Sequence, residues 1–233
     1  MSTNSYQRIA VIGLGRFGMA LARRLAAHGA EVIAIDRSRQ LVDEVRDHVD
    51  MAVRLDSTEE AALRSQEVDR VDCVVVSIGE NFEAALLTTV ICKRNLQVPY
   101  VICRAQTPLH AEIFNQIGAD EVIQPEQNAG DMLGRRLAHP RINDYITLGE
   151  GFTVVEMLTP KEFVGKSVLE ISLRANYSVN LIAIRKKSAE AAEVSEGNAP
   201  KLISVPGPND QIDAEDILLL AGSEEALTSL PQE

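Results

Sequence analysis

The chain has 233 residues, 45% of them hydrophobic, so one large domain or two modest ones can bury a real core. Its formal charge is −11, with 16 basic and 19 acidic residues up to Asn143 and 7 and 15 beyond it, a balance that argues against nucleic acid and anionic membrane surfaces as partners. No apolar run approaches the roughly 18–20 residues of a membrane helix, and MSTNSYQ lacks a secretion-signal pattern, so a cytoplasmic protein without direct membrane insertion is expected.

The pattern from Arg8 to Asp36 reads as strand, glycine turn, helix, strand. Ile9–Ile12 is a short apolar run of the kind found in buried parallel strands. Gly13-x-Gly15-x-x-Gly18 follows at once: Gly13 for the tight turn, Gly15 for backbone approach to a pyrophosphate, Gly18 for close helix packing. Met19–Leu25 is helical in pattern, and Gly29 is a plausible stop. Val32–Ile35 forms the second strand. Asp36 ends it, close to where a ribose-binding carboxylate belongs. A preceding strand, a following helix and a distal acid make this glycine motif a nucleotide or dinucleotide site. The alternative is a tight turn whose Asp36 caps the next helix.

The alternation continues. Leu41–Val49 suits a helix and Met51–Leu55 a strand, and Asp56-Ser57-Thr58-Glu59-Glu60 opens a helix with a capping residue and early acids. Asp72–Ser77 is a strand, Ile78–Asn81 a turn, and Phe82–Asn95 a long helix. Val98–Arg104 is a strand, Thr107–Ile117 a helix stopped by Gly118, and Glu121–Ile123 a short strand. Pro125 starts a helix running to about Ala138. Six strands with intervening helices predict a doubly wound parallel α/β sheet. Ligands then bind beyond the carboxyl ends of its strands. The residues there are Gly13–Gly18, Asp36, Asp56, Ser57, Ser77, Ile78, Gly79, Arg104 and Glu126. Arg16, inside the glycine turn, is placed to meet phosphate oxygens. The stretch Ala84–Cys92 is nearly apolar all round, which points to burial within the domain or to a subunit interface, and we favour the interface.

His139–Asn143 breaks the alternation. Beyond it, Phe152–Leu158 reads as a strand, Val168–Leu173 as a short helix opened by Gly165-Lys166-Ser167, and Val179–Arg185 as a strand. Lys186–Pro200 is a polar low-complexity loop. Leu202–Val205 and Asp216–Ala221 are strand-like, and Glu224–Leu230 is a final helix. This is a second, smaller α+β domain, too small to be the substrate domain of a typical dehydrogenase. No His/Asp or Ser/Lys/Tyr constellation has spacing usable for catalysis, and there is no Walker loop. Cys73, Cys92 and Cys103 lie in apolar runs without CxxC spacing and read as buried small hydrophobes.

The order Gly-Leu-Gly-Arg-Phe-Gly, Ile-Asp36, Asp56-Ser57-Thr58, Ser-Ile-Gly79, Ile-Gly-Ala-Asp120 and Pro125-Glu126 resembles the RCK (KTN) family. These are regulatory subunits of bacterial potassium channels and transporters, of the KtrA and TrkA type. Residues 7–143 resemble the RCK N-terminal domain (TrkA-N), and residues 146–233 the RCK C-terminal domain (TrkA-C). The single pair of domains resembles the KtrA arrangement most.

The resemblance implies a non-enzymatic protein at the inner face of the cell membrane. It implies homodimers assembling into an octameric ring on a membrane potassium-conducting subunit of the KtrB/TrkH type. It also implies ATP or ADP in each N-terminal domain, with NAD(H) in relatives, ATP activating and ADP inactivating. On this sequence, the resemblance implies that Asp36 holds the ribose and that Arg16, beside Phe17 in the turn, reaches the γ-phosphate. Asp56, Ser57, Ser77, Gly79 and Arg104 would line the adenosine pocket, and Glu126 would hold a divalent cation (Mg or Ca) at the dimer interface. Arg174 and Asn180 match a cyclic di-AMP pattern of some relatives, with Ser172 where those relatives have Asp; alternatively the pair holds a helix-to-strand turn. A small NAD-dependent oxidoreductase or redox sensor, and an oligomer with a purely structural nucleotide, are the competing readings. For the former, Asp36 would repel a 2′-phosphate and favour NAD, an argument softened by Arg37.

Overall fold

The computed structural model describes residues 7–138, 142–149, 151–186 and 201–231. The chain divides into two compact units, Met1–Ala129 and Gly130–Glu233.

The first unit is built on β1 (Arg8–Ile12), α1 (Arg16–Ala27), β2 (Glu31–Asp36), α2 (Arg39–Val45), β3 (Met51–Arg54) and α3 (Glu60–Ser65). It continues with β4 (Cys73–Val76), α4 (Phe82–Val90), β5 (Tyr100–Arg104), α5 (Pro108–Ile117), β6 (Glu121–Ile123) and α6 (Pro125–Ala138), inside which the boundary between units falls. The six strands form one sheet in the order β3-β2-β1-β4-β5-β6, and every pairing is parallel. The order reverses between β1 and β4, which is the switch point where doubly wound sheets bind ligands.

The central strands β1, β2 and β4 are apolar along their lengths inside the sheet because both of its faces are covered there. Successive residues alternate between faces. Ala10, Ile12, Ile33, Ile35, Val74 and Val76 pack into one core with Leu63 and Phe114. Ile9, Val11, Val32, Ala34, Cys73 and Val75 pack into a second core with Met19, Ala22 and Val42. Each fully buried Ile or Leu among them contributes about 1.5–3 kcal/mol of transfer free energy.

Two details depart from the sequence expectation and a third refines it. Asp56 does not cap α3, whose flanking Glu59 makes no side-chain cap bond. Instead the Asp56 carboxylate accepts from the Thr58 backbone N–H (3.0 Å) and hydroxyl (2.7 Å), so the acid is spent on its own turn. The long helix begun at Phe82 widens into a π turn over Ile91–Asn95, closed by Leu96 N–H to Ile91 O. On α4, one side is buried (Ala85, Thr88, Thr89) while Leu87 is exposed. The buried side is tied down by Thr88 Oγ1 with Ser57 Oγ (2.8 Å) and by Thr89 Oγ1 to Ala85 O (2.7 Å). Threonine hydroxyls that find partners can be buried like apolar groups, so Thr88 and Thr89 sit on the buried side with Ala85.

The second unit contains a five-stranded antiparallel sheet of β7 (Ile142–Gly149), β8 (Phe152–Leu158), β9 (Asn180–Lys186), β10 (Lys201–Ser204) and β11 (Ile217–Ser223), in the order β10-β9-β11-β8-β7. Its short helices are α7 (Val168–Ile171), α8 (Leu173–Tyr177) and α9 (Glu224–Thr228). Val155, Met157, Ile184, Leu218 and Leu220 make its core with Phe163, Ile212 and Leu227. The smaller α+β domain is therefore present. The strand β7 was not expected: it is an edge strand whose pairing with β8 defines it, rather than any local alternation. Of the expected break over His139–Asn143, residues 139–141 lie outside the described residues and Ile142 already begins β7; the polar loop over 187–200 also lies outside them.

Candidate functional site: a cavity at the carboxyl edge of the parallel sheet

The glycine turn is shaped by contacts that tolerate no larger residue. Gly13 has φ +96°, in the left-handed region that favours glycine, and a Cβ there would crowd the backbone of Ile78. At Gly18 a Cβ would overlap the Gly13 carbonyl oxygen and Ser77 Oγ, so this glycine brings α1 against β1. Gly15 differs, since a Cβ on it would meet nothing within 4 Å. Packing does not demand a glycine there, and its bare backbone faces the cavity.

The turn leads into α1, which carries no side-chain cap and no acid in its first turn. Its leading N–H groups and the positive end of its dipole therefore remain available to an anion. Arg16, at the first helical position, is exposed and has no ion-pair partner among the described residues. Two polar groups brace the turn from behind. Ser77, almost fully buried, donates to Gly13 O (2.5 Å) and Ile12 O (3.1 Å). Asp36 accepts from Leu14 N–H (2.6 Å) and from Ser38 N–H (2.7 Å), tying the end of β2 to the turn.

These residues open onto a cavity of about 830 Å³. Gly13, Gly15, Arg16, Phe17, Asp36, Arg37, Asp56, Ser57, Ser77, Ile78, Gly79, Arg104 and Glu126 all line it. Gly18 does not, because its role is in packing. The lining also includes Ile12, Ile35, Leu41 and Leu55, an apolar wall of the kind a nucleobase needs, and the polar Ser38, Glu80, Asn81 and Gln106. The motif reading missed these. A strand-by-strand reading of which residue follows each carboxyl end could have found Ser38, Glu80 and Gln106.

Asp56 is held below the usual carboxylate range, first by the Thr58 N–H, then by the Thr58 hydroxyl, with Arg37 nearby. Ser57 and Ser77 are both engaged with protein partners, so they shape the wall through their backbone and carbon atoms. Beyond Gly79, at the carboxyl end of β5, Arg104 pairs with Glu126 at 2.5 Å. Glu126 is consequently held below its usual range, chiefly by that hydrogen bond and then by its own backbone N–H. Among the described residues no three His, Cys, Asp or Glu side chains are grouped as metal ligands. One chain thus offers a divalent cation Glu126, already neutralised by Arg104, and does not by itself fit a cation site. The three cysteines are buried and unpaired, and burial pushes their thiols up, to about 12 for Cys73 and Cys92 and about 11 for Cys103. They behave as the small hydrophobes expected.

In the second unit Arg174 and Asn180 are both exposed. The helix junction that leads into this stretch is held by other residues: Ser172 Oγ donates to Leu169 O (2.7 Å) and Asn176 Nδ2 to Ile171 O (2.9 Å).

Comparison with known proteins agrees with this architecture. Residues 9–125 match the TrkA-N domain model and residues 152–230 the TrkA-C domain model. The chain is 33% identical to the Ktr system potassium uptake protein C of Bacillus subtilis, over 93% of this chain and 92% of that one. It is 31% identical to the Ktr system potassium uptake protein A of the same organism, over 93% and 91%. Among solved structures, the GsuK RCK domain superposes on 96% of this chain and 45% of its own with a TM-score of 0.55 at 24% identity, a likeness of fold. GsuK bound to ADP covers 57% of this chain and 34% of its own, with a TM-score of 0.51 at 27% identity. This chain thus spans less than half of the GsuK chain. No helix among the described residues is long and apolar enough to cross a membrane. With a nucleotide-type sheet, a second antiparallel unit and relatives matched nearly end to end, the chain belongs to the family that joins a TrkA-N domain to a TrkA-C domain, the family of the Ktr potassium uptake proteins.

Proposed function

We propose that this chain is a nucleotide-binding regulatory subunit, not an enzyme, that gates a membrane potassium-conducting subunit of the KtrB/TrkH type from its cytoplasmic face. Its TrkA-N part, residues 7–143, binds ATP or ADP, and its TrkA-C part, residues 146–233, completes the subunit. ATP favours a conducting shape of a ring of dimers, an octamer, and ADP an inactive one. The observation that carries the reading is the cavity at the switch point, with a bare Gly15 backbone, an uncapped α1 and, on one side, Arg16, a cation with no ion-pair partner among the described residues. Two potassium uptake proteins match the chain over nearly its whole length, and GsuK, with a related fold, has been solved bound to ADP.

In this reading the phosphates lie over Gly13–Gly15 and the first turn of α1, and the nucleoside lies against Ile35, Leu41 and Leu55. Asp36 receives the ribose with the lone pairs that Leu14 and Ser38 leave free. Arg16 meets the outermost phosphate. ATP and ADP differ by one phosphate, so a cation reaching that phosphate is a natural discriminator, and the ring shifts only by their difference in affinity for its two shapes. A divalent cation enters the reading only where Glu126 carboxylates of adjoining copies meet. Cyclic di-AMP enters it at the exposed Arg174 and Asn180.

Calorimetric titration of the nucleotide-stripped chain with ATP, ADP, NAD and NADH, with and without magnesium, tests the reading. Tight ATP and ADP binding with weaker dinucleotides is expected. Arg16→Ala should narrow the ATP/ADP affinity gap, and equal losses for both nucleotides would count against Arg16 as discriminator. Preference for NAD or NADH, blind to magnesium, would put the oxidoreductase or redox-sensor reading first.

A further inference from the structure

Arg104 stands out among the cavity residues because its guanidinium is largely buried yet poorly satisfied. Only 15% of its side chain is exposed, against 65% for Glu126. Nη2 donates to Glu126 Oε1. Nε is buried with no hydrogen-bond partner among the described residues. Nη1 lies over Gly79, where a Cβ would overlap it, so the glycine makes the room in which the guanidinium sits. Gly79 follows Ile78, whose backbone crowds Gly13, so the cation lies next but one to the glycine turn around the carboxyl ends of β1, β4 and β5.

A buried guanidinium with unmet donors is an unfavourable arrangement that an added acceptor relieves. Its planar fork suits two oxygens of one anion better than the single oxygen Glu126 presents. Glu126, for its part, loses little by letting go. It is mostly exposed to water and sits in the first turn of α6, where the helix dipole favours a negative charge. Gln106 also borders the space over Gly79 and offers a further amide donor there.

We propose that Arg104 and Glu126 form a ligand-exchangeable pair: an anionic phosphate entering the cavity takes the guanidinium from Glu126 and releases the first turn of α6. The proposal rests on the nucleotide reading of the same cavity and adds the residue through which occupancy reaches α6. In it Glu126 is a competitor of the ligand, and Arg104 reads phosphate.

The test is titration of the nucleotide-stripped full chain in EDTA, with ADP and with adenosine, which has no phosphate. EDTA removes any part played by a divalent cation at Glu126. The exposed position of Glu126 makes Glu126→Gln safe for folding. We expect it to tighten ADP binding about fivefold, the scale of one partly screened ion pair. Adenosine should gain less, so the ADP-over-adenosine preference rises. In the double variant Arg104→Gln/Glu126→Gln the gain should vanish. Unchanged or weaker ADP binding in Glu126→Gln, or a gain that survives loss of Arg104, overturns the exchange while leaving the nucleotide reading intact. If the wild-type chain binds neither ligand, the nucleotide reading itself falls and the exchange with it.

Discussion

Gly18 and Asp36 show how much one position in the turn decides. Without a side chain at Gly18, the Gly13 carbonyl can approach α1 and accept from Ser77. Gly18→Ala would push a methyl into a backbone oxygen and a buried hydroxyl, neither of which can yield far. Overpacking of that kind typically costs about 1–3 kcal/mol. We expect a lowered melting temperature together with a loss of ADP affinity of at least tenfold, read by thermal unfolding and calorimetry. Wild-type affinity in a folded Gly18→Ala chain would mean that the turn does not shape the site. Asp36 carries two tasks where the motif suggests one: it holds the turn through Leu14 N–H as well as lining the cavity. Its identity as an acid at the end of β2 was legible in the sequence, but its grip on Leu14 was not, because that contact closes only when β1 and β2 pair.

Among the elements, the second unit depends on a charged knot between β9 and the turn leading into β11. Lys186 Nζ donates to Asp216 (2.6 Å), Asp213 (2.8 Å) and the Gln211 carbonyl (2.6 Å). Asp216 is almost fully buried and also accepts from Asp213 N–H. Burial alone would lower the Lys186 pKa, but the hydrogen bonds and charges of Asp213 and Asp216 more than offset it and raise it. A raised lysine contributes stability that is fully present below its ordinary range and is lost as pH rises through the raised value. Asp216→Asn takes the buried carboxylate from the Lys186 ammonium while Asp213 and the Gln211 carbonyl stay, and should destabilise the unit by about 1–3 kcal/mol. Chemical denaturation followed across the alkaline range would check both points. Lys186→Met should flatten that alkaline dependence, and a dependence that persists would assign it to another group. Nothing in the local sequence announced the knot, since KKSAEAAEVSEGNAP reads as solvated loop and Lys186 as its first member.

For the whole molecule, the exposed apolar residues of the first unit bear on assembly. Leu87 is 45% exposed on α4 and Leu109 63% exposed on α5. α4 and α5 pack together, with Phe82 stacked on His110 at 3.9 Å and edge-on to Phe114 at 5.5 Å. We propose that the interface expected over Ala84–Cys92 takes in Leu87 and extends to Leu109, a second copy of the chain covering both. Leu109→Glu should then lower the mass seen by sedimentation velocity while the unfolding free energy of the dissociated chain changes by no more than about 0.5 kcal/mol, the usual range for a surface change. An unchanged mass would locate the dimer contact elsewhere.

Elements set by local pattern were determined by the sequence alone. The apolar runs of β1, β2 and β4, the glycine turn, the acid closing β2, and the starts of α5 and α6 all follow from steric and hydrogen-bonding rules that act within a few residues. From these the parallel sheet and its ligand-binding edge follow, because right-handed crossovers leave little freedom in the order. What only the tertiary structure decided involves partners far apart in the chain. Ser77 braces Gly13, Ser57 meets Thr88, β7 becomes a strand by lying beside β8, and Arg104 takes Glu126 as its partner. A hydroxyl or a guanidinium carries no local mark of which acceptor it will find. That choice is made when burial removes water as the alternative and the remaining donors must bind whatever the folded chain brings within reach.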